Sequence, residues 1–155
     1  MKIFTLIFLT SLLTFSCANS KKVTETTEKQ EEKVAEEVIP NAKKGILTQD
    51  WAKYKNTASY NIIAASLTKN ILSITITYQG GCQKHEFDLI GSSFIMKSLP
   101  PKRGIKLYHH PIEDDCRELV QKTLNFDISE FRYGQQEIIL NLEHFPESIS
   151  YTYKE

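Results

Sequence analysis

The sequence carries no excess charge of either sign: 19 Lys and Arg stand against 19 Asp and Glu, a formal net charge of +0. A near-neutral chain with no dense basic run lacks the electrostatic footprint of a nucleic-acid binder, so no nucleic-acid partner is expected. Enzyme signatures are also missing. There is no Gly-x-Ser-x-Gly elbow, no His-Glu-x-x-His pair and no phosphate-cradling glycine loop. No residue is therefore given a catalytic role, and the protein is expected not to be an enzyme. Apolar length is limited at the N-terminus. The uncharged stretch from Ile3 to Ser16 runs 14 residues, whereas a bilayer-spanning helix needs about 20. Cysteine is scarce, with three in the chain, at Cys17, Cys82 and Cys116.

What the N-terminus does contain is one positive residue, Lys2, followed by Ile3, Phe4, Leu6, Ile7, Phe8, Leu9, Leu12 and Leu13. That pattern suits the apolar region of a secretory signal. A small residue, Ser16, then precedes Cys17 where the apolar sequence ends. The run Leu13, Ser16, Cys17 resembles the lipobox of bacterial lipoproteins, although Phe15 is bulkier than usual there. The resemblance implies cleavage between Ser16 and Cys17 and a diacylglyceryl group on the Cys17 sulfur. That covalent lipid is the one cofactor-like group expected. Two or more acyl chains hold a protein on a membrane, each buried CH₂ adding about 0.8 kcal/mol. An ordinary signal peptide with a nearby cysteine is the competing reading. Ala18 and Asn19 include no Asp of the kind that favours inner-membrane retention, which leans the expectation toward the outer membrane of a Gram-negative bacterium.

Three regions are expected: a signal peptide over 1–16, the lipidated cysteine with a polar tether over 17–44, and a folded domain over 45–155. The tether has no aromatic residue after Cys17. Its six lysines (21, 22, 29, 33, 43, 44) face six glutamates (25, 28, 31, 32, 36, 37). Such a composition buries too little apolar surface to offset its ordering entropy and reads as disordered.

Beyond Gly45 the dominant period is two, the mark of strands with one buried face. Leu72, Ile74, Ile76 and Tyr78 alternate with Ser73, Thr75 and Thr77, and Tyr60 to Leu67 precedes them across a Lys69-Asn70 turn. Similar alternation marks His85/Phe87/Leu89, Phe94 to Met96, Ile105/Leu107, Leu124/Phe126/Ile128, Ile138/Leu140/Leu142 and Ile149/Tyr151/Tyr153. Seven or eight short strands with turn signals between them predict an all-β fold, an antiparallel β-sandwich. Short helices are expected at Thr48 to Tyr54 and at Glu113 to Lys122.

Cys82 and Cys116 form one even pair in an exported domain, read most simply as a disulfide. Gly80-Gly81 just before Cys82 permits a tight turn. The rival reading is a zinc or copper site from Cys82, His85, His109, His110 and Cys116, since thiolate and imidazole are the ligands such ions prefer. A disulfide would consume both thiols. His85 shares the parity of Phe87 and should face the core, while neighbours His109 and His110 should face opposite ways. Glu113-Asp114-Asp115 and Lys102-Arg103 read as solvated loops.

The segment Tyr78-Gln79-Gly80-Gly81-Cys82-Gln83-Lys84-His85-Glu86-Phe87 resembles a Gly-Gly-Cys-x-x-His-x-Phe signature of exported, β-rich bacterial lipoproteins. Ser98-Leu99-Pro100-Pro101 and Cys116-Arg117-Glu118-Leu119 are similar to the same group. The resemblance implies a β-rich envelope domain with Cys82 paired to Cys116, and carries no activity with it. The sequence thus predicts a membrane-anchored, non-enzymatic binding or structural module of the cell envelope, with an envelope protein or ligand as partner. A metal-binding protein, and an inhibitor of a hydrolase inserting the Leu99 to Gly104 loop, are the alternatives.

Overall fold

In the computed structural model, residues 42–56, 59–134 and 136–153 are described. Ser16, Cys17 and the tether up to residue 41 lie outside them. Alternation of β-branched and polar residues yields strands throughout. They are β1 (Lys43–Lys44), β2 (Ile46–Thr48), β3 (Tyr60–Thr68), β4 (Ile71–Gly80), β5 (Phe87–Met96), β6 (Lys102–His109), β7 (Glu118–Asp127), β8 (Glu137–Leu142) and β9 (Ser148–Thr152). A short 3-10 helix, Ser129–Phe131, links β7 to β8. Two sheets result, ordered β1-β7-β4-β3 and β2-β5-β6-β8-β9, and they pack against each other as an all-β sandwich.

The sheets are mixed, which corrects the antiparallel expectation. Parallel pairing joins β1 to β7, β2 to β5 and β6 to β8. The last follows from topology: after β6 the chain crosses to the other sheet as β7 and returns as β8. The helix expected at Thr48 to Tyr54 is instead a turn, in which Thr48 Oγ1 accepts the Asp50 N–H and Asp50 Oδ1 accepts the Lys53 N–H. The one expected at Glu113 to Lys122 gives way to β7, whose ten residues pair continuously with β4, Tyr78 against Val120 and Leu72 against Phe126. Tertiary pairing overrides the helix preference of Glu and Lys there. The folded domain also begins earlier than Gly45, because Lys43 and Lys44 pair with Phe126 and Asp127. Lys43 Nζ adds an ion pair to Asp88 Oδ1 at 2.5 Å.

The core lies between the sheets. Leu72, Ile74, Ile76 and Phe126 from one sheet meet Leu89, Ile105, Leu107, Ile138, Leu140 and Tyr151 from the other, all buried. Phe131, fully buried, closes the side where the chain changes sheets at Gly45. A Cβ added at Gly45 would lie 2.6 Å from its ring, and one at Gly91 2.9 Å. Glycine is needed at both positions for this close approach. Beneath β5, the buried Arg103 donates from Nε to Phe131 O at 3.1 Å and from a terminal nitrogen to Ser92 O. The Lys102-Arg103 loop expected from the sequence is therefore strand β6, with the guanidinium turned inward.

Candidate functional site

One end of the sandwich gathers most of the residues singled out by the sequence. Strand β4 ends at Gly80, and Gly80 and Gly81 adopt φ of +154° and +114°. Side-chain-bearing residues avoid these values, and a Cβ at Gly80 would fall 2.5 Å from His85 Nε2. The chain can therefore fold over His85 and bring Cys82 to Cys116, with which it forms a disulfide across 34 positions of sequence.

Asp114 binds the same two segments together. Its Oδ2 accepts the backbone N–H groups of Gly81, Cys82 and Gln83 at 2.9–3.1 Å. It also receives His85 Nε2 at 3.0 Å, while Oδ1 accepts the Cys116 N–H at 3.0 Å. The Gln83 N–H is the largest influence on its carboxyl, and the bonds from His85, Cys116 and Cys82 add to it. Together they outweigh burial and hold its pKa well below the usual carboxylate range. The middle acid of the Glu113-Asp114-Asp115 cluster is thus a buried hub and not a solvated turn residue, a role that no sequence signal marks.

His85, 5% exposed, faces inward as its parity predicts. Its Nδ1 lies 2.7 Å from His109 Nε2. His109 stacks on Phe87 with ring centroids 4.2 Å apart, and Tyr78 covers His85 at 4.6 Å. With Asp114 ionised, His85 Nε2 carries the proton it donates. His85 Nδ1 is left to share the bond to His109 Nε2, and the two rings form one hydrogen-bonded chain with Asp114. Burial of all three side chains turns this chain inward, where it ties the β4–β5 and β6–β7 connections to the end of β6.

His110 points the other way, its Nε2 2.6 Å from Asp88 Oδ2. Burial alone would raise the Asp88 pKa, but hydrogen bonds and charge from Lys43 and His110 bring it below the ordinary value. The five-residue metal set is therefore not assembled. Both sulfurs are bonded to each other, and His110 serves a different carboxylate from His85. Asp114 does sit beside the two sulfurs, the three atoms within 4.8 Å of one another, but bridged sulfurs are not thiolate ligands. The Leu99 to Gly104 segment divides. Leu99, 99% exposed, stands at the tip of the β5–β6 hairpin, and Lys102 to Gly104 belong to β6.

A second feature was not anticipated. A cleft of about 350 Å³ is lined by Trp51, Tyr54, Asn56, Lys106, Glu143 and His144 among others. Strand parity hides it, since Lys106 sits among Ile105 and Leu107 in a β6 stretch that reads as alternating.

No family model and no curated protein matches the sequence. Solved structures with a similar fold include a NigD-like immunity protein from Bacteroides caccae, 13% identical with a TM-score of 0.50, covering 70% of this chain and 58% of that one. A protein of unknown function, DUF1344, from Bacteroides vulgatus is 16% identical with a TM-score of 0.46, covering 74% of this chain and 56% of that one. The chain thus spans less than two thirds of the length of either structure. The likeness to the NigD-like protein concerns the fold. Among the described residues no helix is long and apolar enough to cross a membrane.

Proposed function

We propose that the protein is a lipoprotein of the bacterial cell envelope, anchored through Cys17 and acting as a non-enzymatic binding module. The observation that carries this reading is the Cys82–Cys116 bridge. It joins the only two cysteines that follow Cys17, and disulfides persist in oxidising compartments outside the cytoplasm. The signal-like leader and the cysteine at its end supply the route to that compartment and the means of staying at its membrane. Stapled connections at one end give a fixed frame from which the opposite hairpin, tipped by Leu99, is displayed. A NigD-like immunity protein shares the fold, which is compatible with a role exercised by binding.

Two measurements test the proposal. Mass spectrometry of the protein from native membranes should find a mature chain that starts at a diacylglyceryl-modified Cys17, and Cys17→Ala should abolish the modification. An unmodified product with its leader intact would overturn the anchor. In-cell photo-crosslinking from position 99 should yield a discrete adduct, and recovery of monomer alone would overturn the binding role.

A further inference from the structure

Lys106 is a buried cation that forms no ion pair among the described residues. Its residue is 5% exposed, yet its ammonium lies 4.2 Å from the centre of the Trp51 ring and donates to Trp51 O at 2.9 Å. An ammonium has three donors, and the Trp51 carbonyl takes one. Among the described residues no carboxylate reaches ion-pair distance of Nζ. Glu143, on the rim of the same cleft, acts on it only through its field, opposing the lowering of the Lys106 pKa by burial. A desolvated charge with one neutral acceptor is costly unless something negative completes its shell.

The surroundings narrow what that something is. The cleft, at about 350 Å³, has the size of a small-molecule site rather than of a peptide groove. Its walls are aromatic: Trp51 beside the ammonium, and Tyr54 held edge-on against Tyr108 with centroids 5.3 Å apart. Asn56 is spoken for, donating to Leu107 O and accepting the His109 N–H. The other polar groups of the lining are Lys106, Lys55, Glu143 and His144, with the Tyr54 hydroxyl and the Trp51 indole N–H.

We propose that this cleft binds a small ring compound bearing one carboxylate, the carboxylate on Lys106 where it lies over the Trp51 ring and the ligand ring against Tyr54. A sugar acid and an alicyclic acid share that chemistry. The inference rests on the binding-module reading but not on the anchor at Cys17. Failure of ligand binding would leave the lipid on Cys17, read by mass spectrometry, untouched.

Trp51 is the sole tryptophan of the chain, so its emission reports on the cleft alone. The mature lipoprotein in detergent micelles would be titrated with sodium glucuronate, glucose, sodium cyclohexanecarboxylate and sodium acetate. Saturable change with glucuronate or cyclohexanecarboxylate is expected, the tighter of the two naming the source. Glucose and acetate should bind at least about tenfold more weakly, since each lacks one of the two contacts. Lys106→Met keeps the buried volume and should weaken the preferred acid about tenfold or more. Glu143→Gln, on an exposed side chain, should tighten it roughly threefold by removing a repulsive carboxylate. No saturation with either ring acid, equal binding by Lys106→Met, or unchanged binding by Glu143→Gln would overturn the proposal.

Discussion

Removing the disulfide offers the sharpest test of how the stapled end works. The perturbation is the double variant Cys82→Ser/Cys116→Ser, which avoids leaving a reactive thiol behind. The bridge spans 34 positions of sequence, and the chain-entropy model assigns closure of such a loop about 3–4 kcal/mol, acting on the unfolded ensemble. Set against the roughly 5–15 kcal/mol that holds a domain together, this is a large share. For a folded part of this size it corresponds to a fall in Tm of about 10–20 °C. The native structure itself should survive. Asp114 still accepts the N–H groups of Gly81, Cys82, Gln83 and Cys116, so both connections stay fastened without the sulfurs. Thermal melts followed by circular dichroism give the first number, and urea unfolding the second. The m value should rise, because an uncrosslinked denatured chain exposes more surface. Wild type treated with reductant should reproduce both changes. A double variant that melts within about 3 °C of wild type, with the same m value, would refute the denatured-state account.

Acid should act through Asp114. Its folded pKa lies below the ordinary 3.8 because Gln83 N–H and the other donors favour the carboxylate. The unfolded chain therefore takes up the proton first as pH falls. The contribution of Asp114 is complete above about pH 4 and is lost as pH drops below it. Asp114→Asn should flatten the acid limb of the stability curve, and an unchanged slope between wild type and variant would reject the hub. In the core, Phe131→Ala removes a fully buried ring that touches Gly45 and Gly91. It should cost about 3–5 kcal/mol by urea unfolding, and a cost under about 1 kcal/mol would reject the packing described.

Local rules carried the sequence reading a long way. The inward set Leu72, Ile74, Ile76 and Tyr78 is buried as alternation required, and Lys69 adopts a φ of 54° at the predicted turn. His85 turns inward and the two adjacent histidines diverge for the same reason, the period of two in a strand. What was illegible depends on distant partners. Lys43 to Thr48 is too short and polar to announce two strands, which exist because the outer sides of β7 and β5 receive them. The start of β7 read as helix because its exposed residues Glu118, Gln121 and Lys122 are good helix formers. Gly91 and Ile95 bracket a register shift, so one ten-residue strand looked like two pieces. Asp114, Arg103 and Lys106 carry buried polar side chains whose partners sit on other elements. Charged residues are usually found outside, and one strand alone cannot show that a carbonyl or an amide row awaits them.

The passage from β1 to β2 takes a single residue, Gly45, yet the two strands belong to different sheets. Adjacent Cα atoms are about 3.8 Å apart, so the chain acts there as a hem that leaves no slack between the layers. Slippage of one layer over the other is barred along that flank by covalent bonds, whatever the side chains between them contribute.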